Sequence, residues 1–114
     1  MATPKTLAGP VALANGTYVT NIYNPASALI YGKAKHLHVV NNTAGALTFR
    51  LYRGATGANA AGTEEYFDES VPAKTGKDYY FSPGLVFKST DFLVGGASAT
   101  GLIITVMGDE EVVP

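Results

Sequence analysis

Residues 35–51 read KHLHVVNNTAGALTFRL, two alternating runs on either side of a small-residue turn. In the first run Leu37 and Val39 fall on one side of an extended chain, opposite His36, His38 and Val40. In the second, Leu47, Phe49 and Leu51 share a face opposite Thr48, Arg50 and Tyr52. A period of two marks a half-buried strand, because successive side chains leave the pleat on opposite sides. Asn41 and Asn42 lead into the turn, where asparagine suits left-handed backbone and side-chain-to-backbone bonds. This stretch is a strand, a turn and a strand.

The same grammar extends outward. GLIITVMG (101–108) is apolar on both faces and predicts a central strand covered on both sides. No stretch carries a helical stripe of period 3.6. Thirteen glycines and six prolines punctuate the chain at short intervals, including Asn15-Gly16, Asn24-Pro25, Thr75-Gly76, Pro83-Gly84 and Gly95-Gly96. Strands are expected near 11–14, 17–23, 28–31, 35–41, 47–53, 78–81, 85–88, 91–95 and 101–107. Short strands between regular turns predict an all-β, single-domain antiparallel sandwich of jelly-roll or Greek-key type. Residues 1–10 read as a flexible N-terminal arm, 11–108 as the sandwich with a long loop at 54–70, and 109–114 as an acidic C-terminal tail.

Self-comparison adds a further expectation. Residues 28–51 lie without gaps on residues 84–107, 56 positions later, placing Leu29 on Leu85, Tyr31 on Phe87, Leu37 on Leu93 and Leu47 on Ile103. An internal repeat with pseudo-two-fold character accounts for this, as does the shared composition of short strands. Either way the halves build one sandwich.

Bulk properties exclude several functions. The chain has 114 residues, enough for one domain with a modest core. Eight basic and nine acidic side chains give a net charge of −1, with no basic stripe for nucleic acid. Cysteine is absent, which removes disulfides, thiolate nucleophiles and most structural zinc sites. No apolar run approaches the roughly 20 residues of a membrane span, and MATPKTLAGP lacks a signal core. The chain is expected to be made in a cytosol-like compartment. Charged residues are only 15% of the chain, which points to surface covered by subunits or a partner.

His36 and His38 are the chain's two histidines, and on a strand their imidazoles face the same way. A catalytic metal site needs a third ligand, which here must be a carboxylate, and Lys33 and Lys35 flank the pair. The reading preferred is a strand whose histidines face solvent or a neighbouring subunit, with no metal and no cofactor. Glu64, Glu65, Asp68 and Glu69 do not follow a calcium-loop pattern and read as a solvated acidic loop or one docking against a basic patch. Within it, Tyr66 and Phe67 place one aromatic on each face, one buried and one offered outward. DYYFSP (78–83) repeats the theme with Tyr79 and Tyr80, and tyrosine suits interfaces that are half apolar and half wet. No G-x-S-x-G elbow or phosphate loop occurs, so no enzyme is expected. GDEEVVP closes the sequence with the apolar Val112 and Val113, which suit addition to a neighbour's sheet edge.

A family resemblance runs through residues 17–108. Tyr23 and Pro25, then Lys35, Leu37, Val39, Asn41, Thr43, Gly45, Phe49 and Leu51, then residues 84–87, Asp91, Phe92, Leu93 and the strand 101–108, resemble small all-β virion proteins of tailed bacteriophages. The resemblance implies a capsid decoration (cement) protein, or a related head or tail protein, that binds after assembly. It implies a virion location on the capsid surface and synthesis in the host bacterial cytoplasm. Its partners would be the phage major capsid protein and further copies of itself, with a cyclic trimer favoured on three-fold lattice sites. The candidate interface is Pro4, Lys5, His36, His38, Tyr66, Phe67, Tyr79, Tyr80, Val112 and Val113. A carbohydrate-binding sandwich using Tyr66, Tyr79 or Tyr80 is the alternative.

Overall fold

The computed structural model describes residues 3–13, 20–54 and 63–112. Its strands are β1 (Thr3–Ala12), β2 (Thr20–Tyr23), β3 (Ile30–Asn41), β4 (Leu47–Gly54), β5 (Thr63–Val71), β6 (Gly76–Phe87), β7 (Phe92–Ala97) and β8 (Leu102–Val112). They make two four-stranded sheets, sheet I in the order β1-β8-β3-β6 and sheet II in the order β2-β7-β4-β5. All pairings are antiparallel. β1 pairs with β8, β2 with β7, β3 with β6 and β4 with β5, so the chain is one long hairpin whose successive double-stranded segments alternate between sheets. A hairpin rolled this way is a jelly roll, and the all-β single-domain sandwich is the observed fold.

The wiring carries the pseudo-two-fold. Advancing each strand by four turns the order β1-β8-β3-β6 into β5-β4-β7-β2, which is sheet II read backwards. The sequence offset of 56 follows it, moving β4 onto β8 and β3 onto a stretch containing β7.

The interior is built from the alternation seen in sequence. Leu37, Val39, Phe49, Leu51, Val71, Phe87, Leu93, Leu102, Ile104 and Val106 are buried between the sheets. Lys35 interrupts the rhythm of β3. Its neighbours Ala34 and His36 have partners on both flanking strands, while Lys35 sits in the register shift between them. That bulge switches the inward set from Gly32 and Ala34 to Leu37 and Val39. At the start of sheet I, β1 needs Gly9 (φ 112), because a Cβ there would meet the Ile104 carbonyl oxygen at 2.7 Å and Thr105 Cα at 2.8 Å. In sheet II, a Cβ on Gly95 would lie 2.5 Å from the Arg50 carbonyl oxygen and 2.7 Å from Leu51 Cδ2.

Several sequence expectations are corrected. Residues 3–10, read as an arm, belong to β1 and pair along β8 from Thr3↔Glu110 to Ala12↔Ile103. Register shifts between Thr6, Ala8 and Val11 scramble the alternation there, which hides the strand from a period-two reading. Of the stretch 54–70, read as a loop, the part from Thr63 onward is strand β5, and 55–62 lie outside the described residues. The acidic tail continues β8, with Asp109, Glu110, Glu111 and Val112 opposite Lys33, Gly32, Tyr31 and Ile30. The separate strands expected at 28–31 and 35–41 are one strand joined through the bulge. Likewise 78–81 and 85–88 are joined in β6 across Pro83, which is tolerated because β6 is an edge strand.

Candidate functional site

The outer face of sheet I brings three of the sequence-predicted residues together. After the bulge in β3, His36 and His38 point outward while Leu37 and Val39 point into the core. β6 lies alongside, with Tyr80 opposite His36 and Asp78 opposite His38. His36 Nε2 and His38 Nδ1 each lie 2.7 Å from the same oxygen, Asp78 Oδ1. Tyr80 stacks on His36 with ring centroids 4.5 Å apart and planes 8° from parallel. Tyr80 is 72% exposed, so the ring covers His36 with one face and turns the other to solvent. Donation from His38, and then from His36, holds the Asp78 carboxyl below the usual carboxylate range. Among the described residues no group of three or more His, Cys, Asp or Glu side chains is arranged to hold a metal ion. The point on which the two imidazoles converge is filled by the Asp78 oxygen itself.

Asp78 is the member that sequence reading missed. Its signal was the alternation of Asp78 and Tyr80 on the strand that turns out to flank the histidines. That signal has no meaning until the pairing of β3 with β6 is known.

Further along the same face, Tyr31, Gly32, Lys33, Val86, Asp109 and Glu111 line a shallow groove of about 180 Å³. Leu29, Tyr31, Val86 and Val112 are exposed apolar side chains at this end of the sheet. Asp109 is held by Lys35 at 2.6 Å.

The other candidate interface residues are placed differently. Pro4 is exposed on β1 opposite Asp109. Lys5 donates to Glu110 Oε1 at 3.0 Å, and Tyr23 Oη donates to Glu110 Oε2 at 2.7 Å. Tyr23 belongs to sheet II and Glu110 to sheet I, so the pair ties the sheets together at one end of the sandwich. Burial would raise the Glu110 carboxyl, but donation from Tyr23 and Lys5 outweighs it and holds the group below its ordinary range. Tyr66 and Tyr79 turn inward, between the edge strands β5 and β6, where they pack with Phe49 and Phe81. Tyr79 Oη is buried there without a hydrogen-bond partner. Burial raises the hydroxyl pKa of both Tyr66 and Tyr79. The side chain of Phe67, and Val113 altogether, lie outside the described residues.

The acidic cluster is dispersed by β5. Asp68 takes a two-pronged contact from Arg50, at 2.8 Å from Nε and 3.2 Å from Nη2. Glu65 Oε1 lies 3.2 Å from Arg53 Nε but lacks hydrogen-bond alignment. Burial raises the Glu65 carboxyl and the Arg53 charge opposes the rise. These acids serve the pairing of β5 with β4.

No family model matches the chain, and no curated protein matches it. Among solved structures it is similar to a chain in the structure of infectious bursal disease virus Gx strain, with 13% identity and a TM-score of 0.44 over 96% of this chain and 32% of that one. It is also similar to a chain from the Gt strain of the same virus, with 11% identity and a TM-score of 0.43 over 96% and 32%. The present chain spans about a third of the length of those it matches. Likeness at this level carries no functional argument. What fold and site define together is a single jelly roll that offers a flat aromatic and imidazole surface on one sheet.

Proposed function

We propose that the chain is a non-enzymatic structural protein of a virion, a decoration protein that docks on the assembled bacteriophage head and stabilises it. Docking is the function in this reading, and the partners are the major capsid protein and further copies of the chain in a trimer. The observation that carries it is the outer face of sheet I, where His36, His38, Tyr80, Tyr31 and Val86 stand on a rigid strand surface. Tyrosine is enriched at such contacts, and side chains anchored on a sheet lose little freedom on binding. The family resemblance across residues 17–108 supports the same reading. The groove lined by Tyr31, Lys33 and Val86 on this surface holds about 180 Å³, below the 300–1,000 Å³ usual for small-molecule sites.

Light scattering after size exclusion, followed by co-sedimentation with heads stripped of decoration, tests the proposal. The expected result is an oligomer that pellets with the heads and raises their resistance to heat. A monomer that stays in the supernatant would overturn it. Carbohydrate binding is the second reading, favoured by the open face of Tyr80 alone, and a silent glycan array counts against it.

A further inference from the structure

We infer that Tyr80 and Asp78 form a docking site for an arginine side chain on the partner surface. This rests on the docking reading above and names its chemistry. Tyr80 offers an open ring face, with its other face stacked on His36. A guanidinium is planar, weakly hydrated and attracted to such a face, which suits arginine better than the compact, strongly hydrated lysine ammonium. Asp78 supplies the anion. Both imidazoles meet its Oδ1, and its side chain remains 43% exposed, so Oδ2 is left for an incoming N–H.

The tautomers follow from the contacts. A neutral His36 donates through Nε2 and a neutral His38 through Nδ1, both to the carboxylate. His36 Nδ1 and His38 Nε2 are then bare acceptors on the surface. In this state the cluster carries the single negative charge of Asp78 and accepts hydrogen bonds, which complements a guanidinium.

Among the described residues, the flanking strands place no lysine or arginine against the Asp78 carboxylate. On β6 the facing ionisable groups are Asp78 and Tyr80, while the register puts Lys77 with Val39 on the other side of the sheet. On β8 the neighbours are Thr105 and Met107, which do not titrate. Asp109, beyond them, is engaged by Lys35 from the bulge of β3.

The test is an NMR titration of the whole chain with N-acetyl-arginine amide, and separately with N-acetyl-lysine amide, at pH 7.5. The arginine probe is expected to move resonances of residues 36–38 and 78–80 at pH 7.5, more strongly than the lysine probe. Tyr80→Ala and Asp78→Asn should each remove the response. Absence of localised shifts, an equal response to the lysine probe, or an undiminished response in Asp78→Asn would overturn the inference. No capsid enters this titration, so failure of the decoration reading, seen in co-sedimentation, stays distinguishable from failure here.

Discussion

Asn41 is 1% exposed and lies at the end of β3, where four hydrogen bonds satisfy its amide. Its Nδ2 donates to the carbonyls of Gly45 and Val71, both at 2.9 Å. Its Oδ1 accepts from the Thr43 amide at 2.8 Å and the Thr43 hydroxyl at 2.7 Å. One side chain thus shapes the β3–β4 turn and clips it to the end of β5. Asn41→Ala strands these buried partners and is expected to cost about 2–3 kcal/mol. Asn41→Asp should cost more, since a buried carboxylate would face two carbonyl oxygens with no donor to offer them. Chemical denaturation of the two variants checks both the size and the order. Sequence reading put Asn41 at the turn, because asparagine is a turn residue, but not the bond to Val71, which is 30 positions away. His36 and His38 repeat the lesson. Their shared outward face was legible from alternation, whereas the carboxylate that joins them was not.

At the scale of elements, legibility follows regularity. The second half of β3 and β4 as far as Leu51 alternate and were readable, because parity sets each residue's environment there; Tyr52, expected on the face opposite Leu51, is buried as well. β1 and β5 were not, since register shifts at Thr6, Ala8 and Val11 in one, and opposite Phe49, Leu51 and Tyr52 in the other, break parity within a few residues. β1 has consequences beyond its own length. It covers the edge of β8 and packs Leu7, Ala8 and Val11 against the core. Removing residues 1–12 should therefore lower the melting temperature and promote association through the bared edge of β8, in place of the intact fold that loss of an arm would leave. Calorimetry with light scattering distinguishes the two outcomes.

For the whole molecule, the rolled hairpin joins segments that are remote in sequence. Tyr23, Glu110 and Lys5 link β2, β8 and β1 across the two sheets at one end of the sandwich. The Glu110 carboxyl is held below its ordinary range, so its contribution to stability is complete above that range and is lost as pH falls through the lower folded-state value. Tyr23→Phe removes a donor to this carboxylate. It is expected to cost about 1–2 kcal/mol at neutral pH and to move the acid-unfolding midpoint to higher pH, as read by circular dichroism across a pH series.

Alternation, turn residues and composition are local properties, and by themselves they determined an antiparallel all-β sandwich with Leu37, Val39, Phe49 and Leu51 inside. Tertiary structure alone decided which strands are neighbours, and hence which outward side chains meet. In a jelly roll the strand partners outside the innermost hairpin lie far apart along the chain: His38 and Asp78 are 40 positions apart, and Lys5 and Glu110 are 105. Contacts of that span depend on loop closure and on the packing of both sheets at once, and no window of sequence contains them. The chain announces KHLHVV as a strand with two outward imidazoles. Only the roll sets Asp78 and Tyr80 beside them.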